Sequence, residues 1–462
     1  MNHHQPNSSR GAERPFRFYI ASLGCPKNTV DSNAMGLLLQ RAGYEATLDP
    51  HEADVLIVNT CGFIDLARGE SLETLQALAA QMRPEQRLIA AGCWAQRSPD
   101  WLLGALPALD AVIGTRTWPG IVPLAEQLLS EDEDERSIYE LVQERPFMLP
   151  EEAEVPGYVI SGPSAFLKIA DGCSRQCAFC AIPGIKGAAV SRPMEAILQD
   201  ARQLQELGIL EINLIAQDAT AYGLDRGIED GLAKLLERWV VEVPDLPWIR
   251  VLYTFPGFIT PRLIDTIAHH DQILNYIDIP LQHAHPDVLR RMRRPADVDS
   301  VRQMIANLRA RIPEVAIRTA MIVGFPGETE EEFRALLDFV NEMRFDRMGV
   351  FTYSEEVGTP AADLEDDVPP EVKEERYEAL MMAQQSISHK KNLSFVGERM
   401  EVLLEGTGDD LTVGRSYRDA PEIDGIVLLR EELPTHRIIT VEVTDAMVYD
   451  LIGRVVPPDD AA

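Results

Sequence analysis

The chain is 462 residues long and carries 43 Lys and Arg against 74 Asp and Glu, a formal net charge of −31. A nucleic-acid binder shows a basic footprint because its affinity comes largely from phosphate neutralisation, so this balance argues against a polyanion as the main partner and towards a basic one, while also serving solubility. With 45% apolar and 25% charged residues and no apolar run near the ~20 residues of a membrane span, the chain reads as a globular, cytoplasmic protein of roughly two to four domains.

Residues 1–15 read as a disordered leader with no hydrophobic core for a secretory signal. Residues 16–130 alternate strand and helix. F-R-F-Y-I-A-S-L ends at Gly24-Cys25 and a helical segment follows from about Asp31 to Ala42; D-V-L-I-V-N-T ends at Cys61-Gly62, and R-L-I-A-A ends at Gly92-Cys93. Such continuous apolar, β-branched runs predict parallel strands buried on both faces, an open parallel α/β sheet. Residues 131–160, with the acidic run Glu131–Arg136, read as a linker.

From residue 161 to 392 the alternation resumes: A-F-L-K-I-A, L-E-I-N-L-I-A, I-R-V-L-Y-T, Y-I-D-I-P-L, I-R-T-A-M-I-V-G and M-G-V-F-T-Y. Six strands with crossover helices predict a parallel sheet curved into an open, partial (β/α)6 barrel, left through a charged helix from about Pro370 to Leu393. Residues 393–462 change character. Short alternating segments split by glycines and charged turns predict a small antiparallel β-barrel, and from Val396 onward 15 acidic side chains face 6 basic ones.

All six cysteines fall into two sets of three. Cys173, Cys177 and Cys180 stand in D-G-C-S-R-Q-C-A-F-C, directly after the first predicted barrel strand, where a barrel has its active mouth. Zinc takes four ligands in a closed geometry, and no fourth Cys or His follows at ordinary spacing. A redox disulfide would use C-x2-C alone. The run therefore points to an iron–sulfur cluster with one iron left without a protein ligand. Cys25, Cys61 and Cys93 are weaker signals singly, since a lone buried cysteine is more often a small hydrophobe. They sit, however, at the carboxyl ends of successive strands, where such sheets form their binding crevice. Spacings of 36 and 32 residues are about one βαβ repeat each, so the three can meet in space.

The C-x3-C-x2-C run, with a strand before it and a partial barrel after it, resembles the radical S-adenosylmethionine superfamily. With the first cysteine set and the small C-terminal barrel, the chain from residue 16 to 460 resembles the methylthiotransferase family, whose last domain is of the TRAM kind. The segments S-L-G-C-P-K-N-T-V-D-S, L-I-A-Q-D, P-L-Q-H, I-V-G-F-P-G-E-T, F-T-Y-S-E-E-V-G-T-P-A-A and G-R-S-Y-R-D-A-P-E-I-D-G are similar to its ribosomal-protein branch; the transfer-RNA branch has Gln-Met in place of Pro26-Lys27. The resemblance implies two 4Fe–4S clusters, a radical-generating one on Cys173, Cys177 and Cys180 and an auxiliary, sulfur-carrying one on Cys25, Cys61 and Cys93. S-adenosylmethionine would serve as both methyl donor and radical source. The implied reaction places a methylthio group on the β-carbon of an aspartate in a basic small-subunit ribosomal protein, free or within the ribosome, with an outside electron donor and sulfur source. The acidic small barrel then acquires a partner, and RNA contact is secondary. Departures from the family pattern are Asn33 for glutamate, Lys186 for arginine and His285 for serine.

Phe179 matches the aromatic that meets the adenine, or it packs. Gln217 and Asp218 end a strand and either meet S-adenosylmethionine or cap the chain. Arg318 either binds its carboxylate or pairs internally. His283 and His285 form an H-x-H pair better suited to a polar barrel mouth than to metal. Gly324–Glu328 reads as a strand-to-helix turn as readily as a nucleotide contact, and Arg290, Arg291, Arg293 and Arg294 as a solvated helix face more than an RNA contact. Two other functions remain to be separated: methylthio transfer to a transfer-RNA adenosine beside the anticodon, and a non-catalytic iron–sulfur sensor or assembly factor.

Overall fold

The computed structural model describes residues 14–130, 139–142 and 155–456; the leader up to Glu13 and the acidic run Glu131–Arg136 lie outside them. The described residues up to 142, with Val155, form one compact unit, and those from Pro156 onward form a second.

Six strands build the first unit: Arg17–Ser22, Glu45–Ala46, Val55–Thr60, Arg87–Ala91, Ala111–Gly114 and Tyr139–Leu141. All pair in parallel, in the spatial order second, first, third, fourth, fifth, sixth. Every residue of Val55–Thr60 and Arg87–Ala91 is buried, as a parallel strand covered on both faces requires. The strands that end at the three cysteines are therefore immediate neighbours in an open parallel sheet. The other three strands are only two to four residues long, too short to leave a pattern in the sequence. The first helix runs Pro26–Arg41 rather than from Asp31. Proline fits the first helical turn, where its missing N–H goes unused, and this early start leaves Cys25 at the N-cap.

In the second unit, six parallel strands follow one another in sequence and in space: Ser164–Lys168, Glu211–Ile215, Trp248–Val251, Ile273–Asp278, Ala316–Val323 and Arg347–Thr352. Helices link them, and the exit helix spans Pro370–Leu393. The sheet stays open. On its first edge lies an antiparallel strand, Tyr158–Ser161, which returns through Gly162 at φ +57°. This strand straddles the end of the segment 131–160 expected as a linker, because four residues bounded by Gly157 and Gly162 carry no periodicity. Five strands then close a small barrel: Arg399–Gly408, Leu411–Ser416, Val427–Leu429, Arg437–Ala446 and Leu451–Val455. The fifth leaves little periodic trace in the sequence. Its Gly453 lies where a Cβ would fall 2.2 Å from Val441 Cγ1, so the residue that breaks the apolar pattern is the one that lets the barrel close.

The small barrel docks at the amino ends of the partial-barrel strands through the segment Gly414–Gly425. Arg415 reaches Ser164 and Glu211, the first residues of the first two strands, and Asp419 pairs with Arg347, the first residue of the sixth. Arg250, wholly buried, bonds Glu211 at 2.9 Å and the carbonyls of Tyr417 and Ser416. Glu211, Arg250 and Arg415 thus stand at the foot of the partial barrel, opposite the carboxyl ends where such barrels carry their chemistry. Among the described residues no helix is long and apolar enough to cross a membrane.

Candidate functional site

All six cysteines are free thiols, and each set is gathered by its own sheet. In the first unit Cys25 caps a helix, Cys61 directly follows its strand, and Cys93 opens the short helix Gly92–Arg97. Gly24, at φ +85°, lies so close to Cys61 that a Cβ would fall 2.7 Å from its Cβ and 2.9 Å from its Sγ. Only glycine accepts both that backbone and that approach. Gly62 is likewise pressed against Cys93 and Trp94. Asn28 ties the group together, donating to the carbonyls of Thr60 (3.0 Å) and Leu23 (3.2 Å) while its Oδ1 accepts from Cys93 Sγ at 3.5 Å. Burial pushes the Cys61 thiol up; the Phe63 N–H works against this, and charge at Cys25 and Glu70 adds to it.

In the second unit the chain leaves the first barrel strand, pairs Ala170–Asp171 with Val190–Ser191, and turns at Gly172 (φ +76°) into the cysteine loop. Three backbone bonds pin that loop: Cys173 N to Gly187 O (2.9 Å), Ala178 N to Met292 O (2.9 Å) and Ala361 N to Ala178 O (2.8 Å). The thiols lie near enough for a charge on one to be felt by the next. Burial raises Cys173, with the Arg175 N–H opposing, and raises Cys180 to about 12, with the Ile182 N–H opposing and Cys177 and Cys173 adding. Metal ligation requires thiolates, and donors stand ready for them. The Arg294 guanidinium places Nη1 3.7 Å from Cys177 Sγ, and the backbone N–H of Arg175 lies 3.5 Å from Cys173 Sγ. Among the described residues, the buried N–H groups on Arg175 (Nη2) and Arg294 (Nε) have no partner. Three free thiols and orphaned donors beside them fit an iron–sulfur cluster.

Beneath the loop, Asp171 is buried and accepts from Lys168 Nζ (3.0 Å), Lys186 Nζ (3.1 Å), Gly172 N (2.9 Å) and Gln217 Nε2 (3.0 Å). Burial alone would raise its carboxyl, but the two ammonium groups outweigh it and hold the group well below the usual carboxylate range. Lys186, the departure from arginine, is thus one arm of a buried two-lysine clamp. The sequence offered no sign of this clamp beyond the D-G-C start of the motif.

The other residues singled out from the sequence take distinct places. Gln217 bonds Asp171, while its buried Oε1 meets no donor. Asp218 pairs with Arg175 at 2.7 Å and caps the turn Ala219–Ala221. Phe179 packs, half-buried, against the small apolar cluster that includes Met292, Phe325 and Tyr353. Arg318 lies lower in the barrel, its guanidinium engaged by Asp278 (3.0 Å) and Asp424 (3.4 Å). His283 is buried beside Glu328 at 3.6 Å. His285 caps the next helix and stands near Asp287 and Glu332, whose carboxylates are taken by Arg290 and Arg291. The glycine-rich turn ends at Glu328, whose carboxylate accepts from Arg376 at 2.9 Å, and Thr329 then caps the helix Glu330–Met343 in a capping box with Glu332. Arg175, Arg294 and Phe255 were missed as a group: the guanidinium carbons lie 4.4 and 4.1 Å from the Phe255 ring centroid. No spacing rule connects residues so far apart in the chain.

A three-thiol loop at the carboxyl mouth of an open six-stranded parallel barrel defines a radical S-adenosylmethionine enzyme, and the second thiol set and terminal barrel narrow the class. Residues 167–340 match the Radical SAM superfamily, residues 17–114 the uncharacterized protein family UPF0004, and residues 396–456 the TRAM domain. The chain is 46% identical to ribosomal protein uS12 methylthiotransferase RimO of Roseiflexus sp. (strain RS-1), over 96% of this chain and 99% of that one. It is 47% identical to the protein of the same name from Chloroflexus aurantiacus, over 95% and 99%. The chain belongs to the RimO family. Among solved structures, TsrM from Kitasatospora setae, a radical S-adenosylmethionine methyltransferase with cobalamin and a [4Fe-4S] cluster bound, shares the fold at a TM-score of 0.57 and 14% identity, over 87% of this chain and 77% of that one.

Proposed function

We infer that this chain is a radical S-adenosylmethionine methylthiotransferase, a transferase that modifies ribosomal protein uS12 with S-adenosylmethionine and 4Fe–4S clusters as cofactors. Full-length family membership supports this reading. One observation carries it: two sets of three free thiols, each at the carboxyl edge of its own parallel sheet, a donor number that leaves one iron of a cluster open. Cys173, Cys177 and Cys180 hold the radical-generating cluster and Cys25, Cys61 and Cys93 the auxiliary one. Bound in these places, the clusters supply the electron for reductive cleavage of S-adenosylmethionine and a seat for the transferred sulfur. Asp171 fixes the base of the cysteine loop, Phe179 offers its ring to the adenine, and the open Oε1 of Gln217 offers S-adenosylmethionine an acceptor. Asp218 works through Arg175. Arg318, bound on two sides by carboxylates, braces the barrel.

The finer reading is modification of the β-carbon of one aspartate, in the cytoplasm, with electron donor and sulfur source coming from other proteins or small molecules. Residues 16–130, 161–392 and 393–462 act as cluster domain, radical domain and docking barrel. The charge of −31 supports a basic protein substrate over an RNA. Anaerobic incubation of the reconstituted chain with uS12, S-adenosylmethionine, sulfide and dithionite, followed by mass spectrometry, tests this. One methylthio group on a single aspartate is expected. Transfer to a transfer-RNA adenosine alone overturns the substrate, and failure to release 5′-deoxyadenosine leaves only an iron–sulfur sensor or assembly factor.

A further inference from the structure

Arg290, Arg291, Arg293 and Arg294 form a dense basic run, yet they diverge in space. Arg290 pairs with Asp287, and Arg291 grips both oxygens of Glu332 at 3.0 and 2.8 Å. The helix Pro286–Arg291 then ends with Arg293 at φ +54°, Arg293 N bonding Arg290 O (3.0 Å) and Arg294 N bonding Leu289 O (2.8 Å). A left-handed residue at a helix end turns the chain sharply, and here the next side chain, Arg294, is buried at 9% exposure. Its guanidinium lies 4.1 Å from the Phe255 ring centroid, donates from Nη2 to Pro280 O and places Nη1 3.7 Å from Cys177 Sγ. The same helix end supplies the Met292 carbonyl that holds Ala178 of the cysteine loop. Among the described residues Arg294 has no carboxylate at ion-pair distance, unlike Arg175 with Asp218, and its buried Nε has no acceptor. A buried, unpaired cation with an orphaned N–H is costly in a protein interior. Beyond the Pro280 carbonyl and the more distant charge of Asp218, the Cys177 sulfur is the acceptor that its guanidinium faces.

We propose that Arg294 is a positioning residue for the cluster on Cys173, Cys177 and Cys180, its guanidinium held on Phe255 and donating N–H···S bonds that raise the potential at which that cluster accepts an electron. Reduction adds negative charge to the cluster, so a fixed cation and hydrogen bonds to sulfur favour the reduced state. The proposal rests on reading the C-x3-C-x2-C set as cluster ligands, and one experiment separates the two claims. In the full-length chain carrying Cys25→Ala, Cys61→Ala and Cys93→Ala, anaerobic reconstitution leaves one cluster, whose one-electron reduction by dithionite is followed by electron paramagnetic resonance without S-adenosylmethionine. Absence of iron in this parent overturns the ligand reading itself. With iron present, Arg294→Gln shifts the midpoint to more negative values, and Arg294→Lys, which keeps the charge but not the planar fork, falls between. Phe255→Leu, which leaves Arg294 but removes the ring beneath it, gives a smaller shift of the same sign. A purely structural role lowers iron content while the loaded fraction keeps its potential. An unchanged midpoint in the loaded Gln variant overturns the proposal, and if that variant holds no iron, an unchanged midpoint in the Leu variant does so.

Discussion

Arg415, on a strand of the small barrel, places Nη2 2.5 Å from the carboxylate of Glu211 at the foot of the second partial-barrel strand, and the Glu211 side chain is wholly buried. Arg250 shares that carboxylate from within the partial barrel, and Ser164 donates to it from the first strand. Burial by itself would raise the Glu211 carboxyl; the two guanidinium charges and the bonds from Arg415 and Ser164 win, holding it at about 2. This carboxylate, with the Arg347–Asp419 and Arg318–Asp424 pairs, ties the small barrel to the partial barrel. An apolar junction would permit sliding, whereas a buried charge with three donors accepts one geometry.

Removing that charge leaves the buried Arg250 without a carboxylate, and leaves Arg415 only its partly exposed partner Glu405, 2.6 Å away. Glu211→Gln is expected to destabilise the second unit by about 3–5 kcal/mol, the usual cost of breaking a buried pair from one side. Replacing Glu211, Arg250, Arg415 and the second Arg415 partner Glu405 together by apolar side chains of similar size should recover most of it. Urea unfolding followed by fluorescence measures both. A loss within the ~0–1 kcal/mol of a surface ion pair would mean that water reaches the junction.

The same carboxylate sets an acid dependence. Its folded value, about 2, lies below the ordinary 4.5, so its contribution is complete above the unfolded value and is lost as pH falls from about 4.5 towards 2. The urea midpoint should decline across that window in the parent and decline less in Glu211→Gln. Parallel slopes in the two proteins would assign acid lability to other carboxylates.

Asp171 has the corresponding role at the barrel mouth, with Lys168 and Lys186 both within 3.1 Å. Asp171→Asn removes the charge that Lys168, Lys186, the Gly172 N–H and Gln217 share at the base of the cysteine loop. The expected result is loss of one cluster's iron after reconstitution, with the iron bound by Cys25, Cys61 and Cys93 retained. Adding Lys186→Met to Asp171→Asn lowers the positive charge packed against the new amide and should restore part of the lost iron. Iron and sulfide analysis of each variant in chains carrying one or both cysteine sets provides the measurement; full loading of Asp171→Asn would show that the clamp is not needed to hold the loop.

Much of this architecture was legible in the sequence because long apolar runs and strand-end cysteines report directly on parallel sheets. The six barrel strands and the exit helix followed from periodicity, and the adjacency of Cys25, Cys61 and Cys93 followed from placing each at a strand end. Glu45–Ala46, Tyr158–Ser161 and Leu451–Val455 escaped because short edge and closing strands owe their existence to a neighbour's hydrogen bonds more than to their own side chains. The clamp on Asp171 and the inward turn of Arg294 escaped for a related reason. Both depend on where a chain reverses, at Gly172 and at Arg293, and a single left-handed residue changes which side chain is buried without altering the composition around it. Arg294 looked like its solvated neighbours until the helix end placed it against Phe255.

Gly24 offers a test confined to the first cysteine set. At φ +85°, with a Cβ position 2.7 Å from Cys61 Cβ, alanine there meets a left-handed penalty of roughly 1–2 kcal/mol together with a direct overlap with a ligand residue. Neither Gly24 nor Cys61 belongs to the second unit, so Gly24→Ala should leave the partial barrel and its own three thiols intact. The expected phenotype is a split one. Iron falls by one cluster, reductive cleavage of S-adenosylmethionine to 5′-deoxyadenosine persists, and methylthio transfer to uS12 disappears. Chromatography of the nucleoside product beside mass spectrometry of uS12 reads the two halves separately. Retention of both activities at full iron would show that Cys61 can shift aside without losing its metal, and would remove the argument that Gly24 shapes the site.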